Sequence, residues 1–257
     1  MAPKLPRPIE EPSANSPFIK QLAANDRATR DAAVNSLRMF LAMDRPFSRL
    51  DLLKLWKGLY FTMWFSDRPI PQQQLAQTLA DLVSAVKEQN VHLFLDAFWE
   101  TMSREWENID SHRLDKFLLL IRRYVFAHFA YLERANYSQD AFDAVISALV
   151  AVPLDATNRR IPDGLRLHVL DVYVDELERS LDSGKEKGKE FSDTKKSIVK
   201  KLLEPVERLE KETQAKVVRK RVRDTLSDSR LKVWLGIKDE PAAEEEEEEE
   251  WQGIQDD

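Results

Sequence analysis

LLKLWKGLYFTMWF, residues Leu52 to Phe65, holds two tryptophans eight positions apart, a tyrosine, two phenylalanines and one central glycine. Its apolar positions Leu52, Leu55/Trp56, Leu59/Tyr60 and Met63/Trp64 recur at three- and four-residue steps, the period of a helix. Ser48 and Asp51 stand three apart just before it, as in a capping box. Lys54 and Lys57 wet the opposite side at first, but from Leu59 onward only Thr62 is polar. A helix that is apolar all round must be enclosed by other layers or covered by a partner. The stretch therefore predicts the spine of a helical stack, its second half buried by helices on both sides.

The same period extends in both directions. Ser16-Pro17 opens a short helix and Asp26 a second, with Val34, Leu37, Phe40 and Leu41 on one face. After Pro69 and Pro71 comes a narrower stripe through Leu75, Leu79, Leu82, Val83 and Val86. Asn90 is expected to cap a helix bearing Leu95, Phe98/Trp99, Met102 and Trp106. Asp110 opens a long one through Phe117, Ile121, Val125, Phe129 and Leu132, and Ser138 another through Phe142, Val145 and Leu149. Beyond the loop VPLDATNRRIPDG lies a helix with Leu167, Leu170, Val174, Leu177 and Leu181. No strand alternation and no repeat of fixed period is present. About eight helices joined by short turns predict an all-α fold: an irregular α-solenoid of stacked antiparallel helix pairs, HEAT-like, with a compact orthogonal bundle as the second architecture.

Composition bounds the remainder. The 257 residues include six glycines and no cysteine, which excludes disulfides and thiolate zinc sites and favours a reducing compartment. The first residues have no apolar core of a signal peptide, and no apolar run approaches a membrane span, so no membrane partner is indicated. Asn136-Tyr137-Ser138 spells a glycosylation sequon, but Ser138 reads better as a helix cap. The net charge of −6 is segregated: residues 183–232 carry sixteen Lys or Arg against nine acids, whereas residues 239–257 carry eleven acids and no base. This divides the chain into a disordered N-terminus (1–15), a helical domain (16–182), a linker (183–193), a basic helical segment (194–238) and a disordered acidic tail (239–257). Pro205 is expected to kink or restart the helix of the basic segment.

No catalytic, cofactor or metal motif emerges. His92, His112, His128 and His168 have no ligand spacing, and His128 reads as a satisfied core histidine. Gly184 to Lys189 departs from a phosphate-binding loop in glycine spacing, in Glu190 and in lacking a preceding strand. Asp171 and Asp175 read as a solvated face. The stronger signal is basic. Lys195, Lys196, Lys200 and Lys201, then Lys216, Arg219, Lys220, Arg221 and Arg223, are candidate contacts to RNA phosphate or an acidic protein partner, or a nuclear localisation signal, against the plain alternative of a wet amphipathic face. Arg122 and Arg123 with Arg113 and Lys116 form a second candidate patch.

Trp56-Lys57-Gly58-Leu59, Met63-Trp64, Asp67-Arg68-Pro69, Phe98-Trp99, Arg104-Glu105-Trp106, Ile109-Asp110 and Arg113-Leu114-Asp115-Lys116-Phe117 together resemble the ribosomal RNA processing protein 1 family, also called the nucleolar protein 52 family. The similarity runs from about residue 16 to about residue 230 and is most specific between Leu52 and Arg123. It implies a non-enzymatic factor of the nucleus and nucleolus. Such a factor acts on precursors of the large ribosomal subunit during pre-rRNA processing, among other assembly factors, ribosomal proteins and pre-rRNA, with no cofactor and no small-molecule substrate. Some members carry long basic C-terminal extensions, where this sequence runs into acid. Trp56, Trp64, Trp99 and Trp106 are expected in the structural core. Lys57, Asp67, Arg68, Arg104, Glu105, Arg113, Asp115 and Lys116 form either internal salt bridges or an exposed docking face. Two other classes remain: a nuclear adaptor or acidic chaperone for basic proteins, suggested by the glutamate run, and a helical hydrolase, which would need a buried cluster of titratable groups around a pocket.

Overall fold

A computed structural model describes residues 17–22, 24, 26–181 and 190–237. The expected disordered ends, 1–15 and 239–257, and most of the expected linker lie outside the described residues. Eight α-helices precede residue 182, in the register the periodicity predicts: α1 (Pro17–Leu22), α2 (Arg27–Leu41), α3 (Arg49–Phe65), α4 (Pro69–Asp81), α5 (Glu88–Glu105), α6 (Ser111–Arg134), α7 (Gln139–Ala151) and α8 (Asp163–Leu181). Three more follow: α9 (Asp193–Glu212), α10 (Lys216–Leu226) and α11 (Ser229–Leu235). Among the described residues there is no strand.

The helices pack in two rows. In one, α1 lies on α3, α3 on α5, α5 on α7, α7 on α9 and α9 on α11; in the other, α4 lies on α6, α6 on α8 and α8 on α10. From α3 onward each helix thus meets the next but one in sequence, while α2 packs on α1; this is the pattern of stacked helix pairs, and the compact orthogonal bundle is not what forms. Side-chain caps begin many of the helices. Asp26, Ser48, Asp110, Ser138 and Ser192 each accept a backbone N–H from the first turn of α2, α3, α6, α7 and α9.

Asn90 plays a different part from the one expected. Helix α5 starts at Glu88, three residues before the start that a cap at Asn90 would set, and Asn90 is buried inside it. Its Oδ1 accepts from Phe47 N (2.9 Å) and its Nδ2 donates to Arg45 O (2.8 Å). A buried amide that satisfies both a donor and an acceptor of the α2–α3 connection is worth more there than at a solvated cap. Pro205 likewise neither ends nor restarts α9, which runs unbroken through it with Pro205 and Val206 buried. Core packing offsets the one hydrogen bond the ring removes.

The centre of the stack is aromatic. Trp56 meets Phe94, Phe98 and Tyr124 at ring-centroid distances of 5.1, 4.9 and 5.3 Å, and its Nε1 donates to Phe94 O at 3.1 Å. Trp99 is fully buried beside them and donates to His128 Nε2 at 3.0 Å. Thr62, the one polar residue late in α3, is buried and bonds back to Gly58 O at 3.1 Å.

The tryptophan helix is nevertheless not enclosed on all sides. Phe61 and Trp64 are half-buried, Phe65 is 64% exposed, and Ile70 at the start of α4 is 70% exposed. The expected double-sided burial holds for the Leu55/Leu59/Met63 face but fails for the Phe61/Phe65 face. Helix α3 has α1 and α5 beside it in its row and α4 and α6 behind, and among the described residues its fourth side is left open.

Candidate functional site

The polar residues beside the tryptophan helix divide by burial. Glu105, near the end of α5, is buried and takes Lys57 Nζ at 2.6 Å and Arg104 Nε at 2.9 Å on one oxygen, and Asn108 Nδ2 at 3.4 Å on the other. Burial works to raise its carboxyl, but the bonds and charges of Lys57 and Arg104 hold it below the ordinary glutamate range. Lys57 thereby ties α3 to α5. Lys116 of α6 is buried and donates to Trp64 O (2.7 Å) and Ser66 O (2.8 Å), closing the C-terminal carbonyls of α3, with Asp67 3.6 Å away. Burial lowers its ammonium, and Asp67 partly opposes this. Arg113 pairs with Asp110 and covers the Trp64 ring, its guanidinium carbon 4.6 Å from the centroid.

These contacts form a framework joining α3, α5 and α6 through Lys57, Glu105, Arg113 and Lys116, while Arg104 is exposed and pairs with the adjacent Glu105 on the same helix. Asp67, Arg68 and Asp115 are exposed around it. Trp56 and Trp99 occupy the core. Trp64 and Trp106 are half-buried at its edge, Trp106 lying against the first turn of α8, where a Cβ at Gly164 would stand 3.1 Å from its Nε1.

A second framework runs along α8. Arg122 of α6 bonds Glu176 and, at 3.1 Å, Asp175. Arg230 of α11 reaches Asp175 (2.9 Å) and Glu178 (2.8 Å), and Arg221 of α10 pairs with Asp171. The Asp171/Asp175 pair is thus a row of acceptors for arginines from three neighbouring helices. Arg122 belongs to that row, not to a free basic patch.

The expected basic cluster separates in the same way. On α9, Lys196 pairs with Glu190, Lys195 donates to Leu181 O (3.3 Å), and Lys201 bonds Gln139 (3.1 Å) above the Phe142 ring. On α10, Arg221 and Arg223 are held by Asp171 and Glu210, and Arg219 donates to Thr213 O at 2.5 Å. Lys200, Lys216 and Lys220 are exposed and form no ion pair among the described residues. These helices share the core of the preceding stack, Tyr173 Oη donating to Leu202 O at 2.6 Å.

Sequence reasoning passed over the α7–α8 connection, residues 152–162. It places Arg159 and Arg160, both exposed, on the rim where the C-terminal ends of α5, α7 and α9 meet. One cleft of about 590 Å³ lies between this loop and the α9–α10 turn, and another of about 490 Å³ between the loop and the end of α5. The signal was available in the doubled arginine of TNRRIP, flanked by turn-forming residues.

Comparison with known proteins bears on the whole length. The profile of the nucleolar protein Nop52 family matches residues 13–257. The chain belongs to that family. It is 38% identical over 168 residues to the human ribosomal RNA processing protein 1 homolog B, a match covering 63% of this chain and 22% of that protein. It is 35% identical over 164 residues to the human homolog A, covering 62% and 35% respectively. It is 32% identical over 185 residues to the Drosophila melanogaster homolog, covering 69% and 26%. The chain therefore spans roughly a quarter to a third of the length of these relatives.

Proposed function

We propose that this chain is a non-enzymatic helical scaffold of large-subunit pre-ribosome assembly, acting in the nucleolus during pre-rRNA processing and binding other assembly factors, ribosomal proteins and pre-rRNA. The observation that carries the reading is family membership over nearly the whole chain, together with the names its relatives bear. The geometry is consistent with it. The buried titratable groups Glu105, Lys116, His128, Arg166 and Glu176 are each engaged in holding helices or loops together. A stacked-pair fold offers long edges for partners while its interior stays closed.

The test is affinity capture of the tagged full chain from its own cells, followed by RNA sequencing and mass spectrometry. The reading expects large-subunit pre-rRNA with assembly factors and ribosomal proteins, and accumulation of unprocessed precursor when the protein is depleted. Capture of histones with little ribosomal RNA would overturn it in favour of a chaperone of basic proteins.

A further inference from the structure

We propose that the rim formed by the α7–α8 loop and the start of α10 binds the phosphodiester backbone of RNA through Arg159, Arg160, Lys216 and Lys220. The choice of RNA rests on the proposed role in pre-rRNA processing; the site rests on the geometry. The α7–α8 connection has eleven residues, against three in the α3–α4 and α9–α10 turns, yet it is tightly held. Pro153, Leu154 and Ile161 are buried. The Asp155 carboxylate accepts from Thr157 N (2.7 Å) and Asn158 N (3.1 Å), and Asn158 Oδ1 accepts from Arg160 N (3.0 Å). From beneath, Arg166, only 3% exposed, donates to Asp155 O at 2.7 Å and Asn158 O at 2.6 Å. The loop is therefore pre-organised before any ligand arrives, which lowers the ordering cost of binding.

Its two exposed guanidiniums have no carboxylate partner among the described residues. Arg159 bonds the neutral amide of Gln214 across the cleft, and Arg160 lies on the side of the loop that faces the end of α5. This sets them apart from Arg113, Arg122, Arg221, Arg223 and Arg230, which are held by acids. The opposite wall is the N-terminus of α10, which has no side-chain cap and so leaves backbone N–H groups and the positive end of the helix dipole toward the rim. Lys216 and Lys220, one turn apart, are exposed there and form no ion pair among the described residues. The two acids lining the Arg159 cleft are engaged, Glu212 by Arg208 at 3.0 Å and Asp163 near Arg166 at 3.7 Å; the Arg160 cleft is lined by Glu100, which Arg49 holds, and by the exposed Glu107.

A protein partner would ask for an apolar centre to the interface. The cleft under Arg159 offers guanidinium, hydroxyl and amide donors with only alanine as apolar lining, and Lys216 and Lys220 stand beside it on α10. Such a donor set suits phosphate and sugar oxygens, which position a nucleic acid without reading its sequence.

The test uses the full chain and a fluorescent single-stranded RNA of mixed sequence, titrated over a range of salt. Arg159→Glu/Arg160→Glu and Lys216→Glu/Lys220→Glu are each expected to weaken binding about tenfold or more at low salt. Loss of two phosphate contacts should also lower the log–log salt slope by about 1.4. Arg38→Glu/Lys87→Glu removes the same charge from exposed positions on α2 and before α5 and should cost far less. Melting curves of all three variants should match wild type, since none of these side chains is buried. Equal losses in site and control variants, or an unchanged slope, would overturn the assignment. So would binding of a glutamate-rich peptide in place of RNA with the same dependence on these four residues. If both site variants bind RNA like wild type while wild type still captures pre-ribosomal particles, the cleft fails and the assembly role stands. If wild type captures no particles, the assembly role fails whatever the cleft binds.

Discussion

His128 has no exposed surface, and both of its ring nitrogens are spoken for. Nδ1 lies 2.7 Å from Tyr124 O, which only accepts, and Nε2 lies 3.0 Å from Trp99 Nε1–H, which only donates. The neutral ring with its proton on Nδ1 satisfies both. A second proton on Nε2 would set donor against donor inside an aromatic cage. Burial accordingly lowers the imidazole from its ordinary 6.5 to about 4. As pH falls below 6.5 the unfolded chain takes up this proton first, so stability contributed by the neutral ring is present above pH 6.5 and is lost as pH falls toward about 4. The full difference is about 3 kcal/mol. Urea unfolding of wild type and His128→Gln between pH 7.5 and pH 4.5 isolates it from the carboxylates, which titrate in both. Wild type should lose stability relative to the variant over this interval; parallel curves would show that His128 does not titrate as described. The sequence placed this histidine on an apolar stripe and so in the core, but its partner Trp99 comes from another helix, 29 positions away, and no local pattern reveals that.

At the scale of the element, α3 shows what periodicity can and cannot resolve. Its helical character, its Ser48 cap and its Leu55/Leu59/Met63 face followed directly from spacing. The open Phe61/Phe65 face did not, because an apolar side chain has the same spacing whether a neighbour covers it or solvent does. The two tryptophans separate these cases. Trp56 is 2% exposed and packed by three rings, so Trp56→Ala should cost about 3–5 kcal/mol. Trp64 is half-buried against Phe117 and under Arg113, so Trp64→Ala should cost roughly half as much. Chemical denaturation of the two variants makes the comparison, and equal losses would mean that Trp64 is buried as deeply as Trp56. Asn90 gives the complementary lesson in α5. Asparagine before an apolar run reads as a cap, and only the distant Arg45 and Phe47 backbone reveals a clamp.

Across the whole molecule, the two-row stack makes stability a matter of neighbours. Helix α8 is buried on one side by α6 and on another by α10, and its acids take arginines from α6, α10 and α11. Charge composition marks residues 194–238 as a segment of distinct character, because composition records charge and not which apolar faces meet. In space, Val199, Leu202, Val206, Val218 and Val222 join one continuous core with Leu170, Tyr173 and Leu177. Phe191, just before this segment, stacks on Trp234 near its end with centroids 5.2 Å apart, so the segment is fastened at both ends as well. Ending the chain at residue 189 would strip α7 and α8 of these covers, leave the Tyr173 hydroxyl without Leu202 O, and leave Asp171 and Glu178 without their arginines. In a repeat-like stack, loss of a neighbour removes the interface term from the unit left behind as well as the unit deleted. The truncated chain should therefore melt well below the full chain, with the loss concentrated in α7 and α8. Hydrogen exchange on both proteins reads this directly: amides of α8 should lose protection in the truncated form while those of α3 and α5 keep most of theirs. Unchanged protection of α8 would show instead that the basic helices fold as a separate unit resting on a stack complete without them.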